Sequence, residues 1–181
     1  MELKTYLRLW KDLTLHTLKR VMCMNKNGWK NIVFWVIVSE AIGLLAGLLT
    51  RNGTETYGQM AMKPPLSPPG WLFPVVWTIL YALMGVGAGL VSGQQPSADR
   101  NRSLNLMVAQ LVVNFFWPLL FFNAGAYGFA FIWLLLLWLL VLWMILSFRK
   151  VDPQAALLQI PYLLWLTFAA YLSGAGWVLN S

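Results

Sequence analysis

Amide and aromatic side chains recur at helical spacing inside the long uncharged segments of this sequence. One segment places an amide pair and two rings on a single helix face, namely Gln110, Asn114, Trp117 and Phe121. An amide in hydrocarbon needs a hydrogen-bond partner, so this face should look towards other helices or a cavity. The set indicates either hydrogen bonds between helices or the polar lining of a binding site.

Two further segments carry aromatic residues with the same periodicity. One face carries Trp77, Tyr81 and Gly85, and the other carries Tyr162, Trp165, Ala169 and Gly176. An indole deep in an apolar layer needs a partner for its N–H group. A flat cavity for a planar aromatic ligand fits these residues, because rings can stack on the guest while indole and amide groups orient it. A packed aromatic core is the alternative interpretation.

Conventional catalytic and metal-binding sets are missing from the apolar segments. The only histidine, His16, and the only cysteine, Cys23, both precede the first of them. The apolar segments therefore lack a metal-ligand cluster, a Ser–His or Cys–His pair and a phosphate-binding glycine loop. Axial histidine ligation of haem is excluded there, so a metal-free porphyrin is the easier tetrapyrrole guest. Glu40, inside an apolar segment, is either a functional residue or part of a close helix contact.

The composition assigns the chain to a membrane. Of the 181 residues, 59% are hydrophobic and 10% are charged, whereas soluble domains usually carry about 25% charged residues. Five runs have about the ~20 residues that a spanning helix needs. These runs are 32–50, 71–91, 104–122, 127–148 and 155–179. The predicted fold is an all-α integral membrane protein, with a five-helix bundle in residues 31–181.

The connecting segments predict how the bundle sits in the membrane. Residues 1–30 are basic, with apolar residues at helical spacing, which is typical of an interfacial amphipathic helix or of a solvated topogenic segment. Residues 51–62 are polar and predict an irregular loop over the outer mouth of the bundle, before a proline-rich run. Counted by side, Lys and Arg number eleven against two, which predicts a cytoplasmic N-terminus and an outer C-terminus. Together with the lack of a transit peptide, this favours a bacterial cytoplasmic membrane.

Three stretches of the sequence resemble the TspO/MBR family of tryptophan-rich sensory proteins and mitochondrial translocator proteins. They are KPPLSPPGWLFPVVWTILYALMG (63–85), NFFWPLLFF (114–122) and ALLQIPYLLWLTFAAYLSGAGWVLN (156–180). The resemblance covers about residues 32–180. It implies a five-helix bundle, usually a homodimer, with a ligand cavity beneath the first loop. It also implies binding of porphyrins such as protoporphyrin IX, of sterols in some members and of synthetic benzodiazepine-site ligands.

The resemblance implies ligand-binding residues on three helices. Together with Tyr162 from the aromatic face, the predicted set is Phe73, Trp77, Tyr81, Asn114, Trp117, Tyr162, Trp165 and Ala169. Some family members are reported to degrade porphyrin photo-oxidatively, and tryptophans matching Trp77 and Trp165 are implicated there. These two residues are therefore the catalytic candidates if the protein is an enzyme.

Two departures from the family pattern limit what the resemblance carries. Tyr57-Gly58 stands where many members have Trp-Tyr before the Lys-Pro pair, so contacts between the loop and a ligand are not implied. No basic residue follows Tyr171, which disfavours sterol binding through the usual recognition motif.

The predicted function is a membrane-embedded porphyrin receptor or sensor that regulates or transports its ligand and requires no cofactor. One alternative is a light- or oxygen-dependent porphyrin-degrading enzyme, and another is a transporter of small amphipathic lipids. The expected partners are a tetrapyrrole or another planar amphipathic molecule, membrane lipids and a second copy of the chain. Nucleic acid is not expected, since the basic residues flank membrane spans and suit anionic headgroups.

Overall fold

A computed structural model describes residues 26–60, 62 and 64–180 of the chain. The described residues form helices and turns, with no strand among them. The helices are α1 (Lys26–Leu49), α2 (Arg51–Met60), α3 (Leu72–Ser92), α4 (Ala98–Pro118), α5 (Tyr127–Val151), α6 (Pro153–Leu157) and α7 (Ile160–Asn180). A π-helical turn, Leu119–Asn123, continues α4. The amphipathic helix predicted for residues 1–30 lies almost entirely outside the described residues, as does Lys63.

Five helical segments of the described chain are long and apolar enough to cross a bilayer. They are Gly28–Leu49, Leu72–Ser92, Ala98–Asn123, Tyr127–Val151 and Pro153–Asn180. The five-helix membrane fold is thereby confirmed. The third segment begins earlier than the predicted residue 104, because Ser97 caps the helix and its hydroxyl accepts the N–H of Arg100 at 3.1 Å.

Residues 51–60 form helix α2, so the prediction of an irregular loop there was wrong. Glycines at 53 and 58 lower the helix propensity of this segment, so the sequence did not predict a helix there. Arg51 and Glu55 form an i,i+4 ion pair with Nε and Oε1 3.6 Å apart. Gly53 lets α2 lie against the π-helical turn, since a Cβ atom there would stand 2.6 Å from the carbonyl oxygen of Phe122. Packing against the bundle, more than propensity, therefore fixes this helix.

The fifth span is interrupted near its start rather than continuous over 155–179. Leu158 and Gln159 form a turn between α6 and α7, just before Pro161, whose missing N–H cannot continue the hydrogen-bond ladder. Asp152 begins α6: its Oδ1 accepts the backbone N–H groups of Gln154 and Ala155 at 3.0 and 3.3 Å. Its Oδ2 accepts a hydrogen bond from Gln94 at 3.0 Å. One buried carboxylate thus joins the ends of α3 and α6.

Replacing Asp152 with alanine should lower the thermal midpoint of unfolding in detergent, followed by far-UV circular dichroism. Loss of a helix cap costs about 1–2 kcal/mol, and the Gln94 side chain also loses its acceptor. Asp152→Asn is the matched variant, because asparagine caps helices about as well as aspartate. Equal midpoints for Asp152→Ala and the unmodified protein would contradict this role of the carboxylate.

Small residues allow the spans to approach closely. A Cβ atom at Gly85 would meet the backbone of Val36, and one at Gly89 would meet that of Ile32, so α1 and α3 pack backbone to backbone. Ser103 and Ser147 join α4 to α5 through hydroxyls 2.8 Å apart. The outer faces carry exposed apolar side chains suited to lipid, including Phe34, Ile37, Leu44, Leu48, Ile79, Ile132, Leu139, Leu164 and Val178. The amide and tyrosine residues described next are buried inside.

Candidate ligand-binding site

A chain of buried hydrogen bonds crosses the interior of the bundle. Asn114 of α4 donates through Nδ2 to the hydroxyl of Tyr162 on α7 at 2.8 Å. Tyr162 in turn donates to Oε1 of Gln110 at 3.0 Å, and Tyr81 of α3 donates to Oδ1 of Asn114 at 3.4 Å. The two amides therefore serve as hydrogen-bond partners between helices, one of the two interpretations that the sequence left open. Their arrangement fixes the two tyrosine rings relative to one another.

Aromatic rings extend this network towards the end of the bundle that carries α2. Trp77 packs against Tyr81 with ring centroids 5.5 Å apart and meets Tyr162 edge-on at 6.1 Å. Phe73, one turn before Trp77, contacts Trp165 edge-on at 5.8 Å. Spans α3 and α7 thus contribute a continuous aromatic surface above the buried amides. We call these rings and amides, with Trp117 and Phe121, the aromatic cluster.

The same cluster continues along α4 and its π-helical extension. Trp117 stacks on Phe121 with centroids 5.4 Å apart. Pro118 ends the regular α-helix, and the wider turn that follows closes with a hydrogen bond from Ala124 N–H to Leu119 O at 3.0 Å. This turn brings Phe121 to a buried position below α2.

Helix α2 covers the aromatic cluster through Tyr57. Its ring lies 5.2 Å from Phe121, 5.6 Å from Phe122 and 6.0 Å from Tyr127, measured between centroids. The Tyr57 hydroxyl also lies beside α7, 3.3 Å from where a Cβ atom of Gly176 would stand. Burial raises the pKa of the Tyr57 hydroxyl, and the neighbouring Tyr127 raises it further. Tyr57 is therefore a neutral donor at neutral pH.

The segment after α2 is tied to the last helix. The backbone N–H of Met62 donates to Oδ1 of Asn180 at 2.9 Å, and Nδ2 of Asn180 donates to the Met62 carbonyl oxygen at 3.0 Å. A few residues further on, the Tyr171 hydroxyl donates to the carbonyl oxygen of Pro65 at 3.1 Å. We call the Met62–Asn180 pair the clasp. It holds the loop over α7 rather than over the helices that the loop connects.

Two indole N–H groups of the aromatic cluster have no hydrogen-bond partner among the described residues. They belong to Trp117, whose side chain is only 9% exposed, and to the partly buried Trp165. The buried hydroxyl of Ser173, two turns after Trp165 on α7, also lacks a partner. A buried donor without a partner costs free energy. These atoms are therefore buried polar groups whose hydrogen-bonding capacity is not used by the described residues.

The structure places all eight predicted site residues in or beside one interior. Tyr81, Asn114, Trp117, Tyr162 and Ala169 are buried, while Phe73, Trp77 and Trp165 are partly buried and contact this interior. Trp138, near the middle of α5, is not part of this interior: its indole N–H donates to the Thr167 hydroxyl at 2.9 Å, on an exposed part of the α5–α7 contact. Whether the predicted residues bind a ligand stays a prediction.

Sequence reasoning missed Tyr57, Phe122 and Tyr127 as members of this end of the bundle. The available signal was the Arg51–Glu55 spacing, which indicates a helical turn in the first loop.

Glu40 lies on α1, one turn before Gly43, where a Cβ atom would meet the ring of Tyr81. The described residues hold no group of three metal-ligating side chains.

Long apolar helices around a buried network of amides and rings define a multi-pass integral membrane protein with an aromatic interior. The model of the TspO/MBR family matches residues 35–178. The chain therefore belongs to the TspO/MBR family, as its three characteristic stretches predicted.

Curated relatives support the assignment over most of the chain. The chain is 34% identical to the translocator protein of Ovis aries over 154 residues, which is 84% of this chain and 91% of the relative. It is 34% identical to the tryptophan-rich protein TspO of Chlorobaculum tepidum over 134 residues, 74% of this chain and 85% of the relative. It is 35% identical to the tryptophan-rich sensory protein of Cereibacter sphaeroides over 118 residues, 65% and 73% of the two chains.

Proposed function

We propose that this protein is a membrane-embedded receptor that binds a planar amphipathic tetrapyrrole, with a metal-free porphyrin as the best-suited form. The ligand would stack within the aromatic cluster beneath α2 and the proline-rich loop. The observation that carries the proposal is the pair of buried indole N–H groups, of Trp117 and Trp165, that have no partner among the described residues. The two imine nitrogens of a free-base porphyrin and its propionate oxygens are acceptors for such donors.

The make-up of the cluster supports a flat, uncharged ring system as the guest. Phe73 and Trp165 form one edge contact and Trp77 and Tyr162 another, so four rings lie together in this part of the bundle. Ligand sites are mostly apolar and aromatic, with a few placed polar groups. Asn114 and Gln110 are hydrogen-bonded to Tyr162, so they hold the ring of Tyr162 in place rather than serve as free donors to a ligand. The only histidine of the sequence, His16, precedes the bundle, which favours a free-base porphyrin over haem.

The names of the relatives support two roles for such binding. One relative is named a translocator protein and another a tryptophan-rich sensory protein. For this chain we propose sensing first, with movement of the ligand as a second step of the same receptor. We further propose a homodimer in a bacterial cytoplasmic membrane, with the N-terminus inside and the C-terminus outside.

The test is an absorbance titration of the purified protein with protoporphyrin IX in darkness, read at the Soret band. Trp165→Phe and Trp117→Phe keep a ring and remove the N–H donor. Each should weaken binding about fivefold, since a hydrogen bond contributes about 1 kcal/mol net. Trp77→Ala should weaken binding further through lost stacking.

Trp29→Phe is the control, because Trp29 is exposed on α1, far along the sequence from the cluster residues. It should bind like the unmodified protein. Unchanged affinity in all three cluster variants would refute the site, and tighter binding of haem than of the free base would refute the preference for metal-free ligands.

A further inference from the structure

A basic groove lies between α4 and α5, at the end of the bundle opposite α2. Its larger part has a volume of about 570 Å³ and is lined by Arg102, Trp143, Leu146, Ser147, Arg149 and Lys150. An adjoining part of about 540 Å³ shares Arg102 and Trp143 and extends along α4 past Asn105 and Ala109. The two parts together form one surface groove, separate from the aromatic cluster.

Helical spacing and small residues create this groove. Trp143, Ser147 and Lys150 follow one face of α5, while Ala98, Arg102, Asn105 and Ala109 follow one face of α4. The buried hydroxyl pair of Ser103 and Ser147 holds the two helices together beneath it. Alanine side chains on α4 leave space beside the larger Trp143. The groove is therefore formed by the helix contact itself and does not depend on a loop.

The charge of the groove is one-sided. Three cations line it and no carboxylate does. Within the described part of the chain, Arg102, Arg149 and Lys150 form no ion pair. The nearby Asp152 carboxylate is already bonded to backbone N–H groups and to Gln94. Three positive charges without counter-charges indicate a site for an anionic group.

The apolar part of the lining points to an amphipathic anion. Trp143 is 56% exposed and Leu146 is 52% exposed, both on the lipid-facing side of α5. Trp143 lies two turns before Lys150 on α5, so it is at acyl-chain depth when the cations are among the headgroups. Basic pockets between membrane helices accommodate anionic headgroups. A free phosphate would use the cations and leave this apolar surface uncovered.

We propose that this groove binds one anionic phospholipid, with its phosphate among Arg102, Arg149 and Lys150 and its acyl chain along Trp143 and Leu146. Occupancy of the groove would bridge α4 and α5 on their lipid-facing side. The site is independent of porphyrin binding, since none of its residues belongs to the aromatic cluster.

Native mass spectrometry of the purified full-length protein tests the proposal. The protein is incubated with phosphatidylglycerol or with phosphatidylcholine of identical acyl chains. One phosphatidylglycerol per chain should be retained, and phosphatidylcholine should be retained much less. Arg102→Gln/Lys150→Gln should reduce retention on the order of 25-fold, because each of the two basic residues near an anionic lipid contributes about a factor of five.

The matched control is Lys26→Gln/Lys30→Gln, which removes the same charge from α1 at the same end of the bundle. It should retain phosphatidylglycerol like the unmodified protein. Equal losses in both double variants, or equal retention of the two lipids, would overturn the proposal. Displacement of the lipid by an equal concentration of glycerol phosphate would identify a free-phosphate site and would also overturn it.

A second variant keeps the test decisive if the double variant unfolds. Phosphatidylglycerol with brominated acyl chains quenches nearby indoles. The emission of Trp143 is obtained as the difference in fluorescence between the unmodified protein and Trp143→Phe. This lipid should quench that emission. Brominated phosphatidylcholine at the same concentration should quench this difference less. Equal quenching by the two lipids would mean that Trp143 senses bulk lipid only and would overturn the specific site.

Discussion

Replacing Gly85 with leucine should prevent α1 and α3 from packing and should sharply lower the yield of folded protein. A Cβ atom at this position would meet the Cα atom of Val36 and would stand 2.6 Å from its backbone nitrogen. Backbone atoms cannot rotate away as a flexible side chain can, so the whole helix must shift. Overpacking of this kind costs about 3 kcal/mol.

Gly47→Leu is the matched control for Gly85→Leu. Gly47 also lies inside a membrane helix, but nothing stands within 4 Å of an added Cβ atom. Both variants gain helix propensity, so only the contact with Val36 distinguishes them. The measurement is the thermal midpoint in detergent, with size-exclusion chromatography to detect aggregation. Similar midpoints for the two variants would contradict the close packing of α1 on α3.

Replacing Asn114 with leucine should destabilise the bundle by about 2–3 kcal/mol, since buried polar groups would lose their partner. Asn114 is 2% exposed and bonds to hydroxyls on two other helices, those of Tyr81 and Tyr162. Leucine has the same branching and the same number of side-chain heavy atoms as asparagine and leaves no cavity, so the loss would come from the hydrogen bonds. Porphyrin affinity should fall as well, because the tyrosine rings lose their fixed positions.

A double-mutant cycle with Tyr162→Phe isolates the bond between the two side chains. Phenylalanine keeps the ring of Tyr162 and removes the hydroxyl that receives the 2.8 Å bond from Asn114. If the bond is real, the double variant Asn114→Leu/Tyr162→Phe should be more stable than the sum of the single losses implies. Strict additivity of the midpoint shifts, or of chemical unfolding energies, would show that the two residues act independently.

The five spans could be predicted because uncharged runs of bilayer length leave a chain few other folds. Their ends were less accurate, and the reasons are local. The third span begins at Ala98 because the Ser97 side chain caps it within a polar segment. Hydropathy detects the apolar centre of a helix and is blind to a serine cap.

Helix α2, which covers the aromatic cluster, could not be predicted from local sequence. Residues 51–60 are polar and contain two glycines, which argue against a helix when read alone. What decides is the contact of Gly53 with the backbone of Phe122, a partner 69 positions away along the numbered chain. The π-helical turn after Pro118 was not predicted either, although Phe121 stacks on Trp117 as their four-residue spacing indicates.

Spacing predicted the inner faces of single helices better than the pairs formed between them. The four- and three-residue intervals correctly grouped Asn114 with Trp117 and Trp77 with Tyr81. They did not predict that Phe73 meets Trp165 or that Asn114 meets Tyr162, because such pairs depend on the rotation and tilt of two helices. The basic groove was missed because its cations were interpreted as an orientation signal and as a general attraction to anionic headgroups, not as the lining of one site.

The clasp between Met62 and Asn180 has a consequence for the speed of exchange rather than for its equilibrium. Its two hydrogen bonds, at 2.9 and 3.0 Å, share one side-chain amide, and that amide also bonds to the carbonyl oxygen of Gly176. In the proposed receptor the ligand would pass the loop that the clasp holds, so fastening the final turn of α7 more firmly would slow its arrival and its departure by the same factor. Residence time could then be tuned from the last helix while the dissociation constant stays the same.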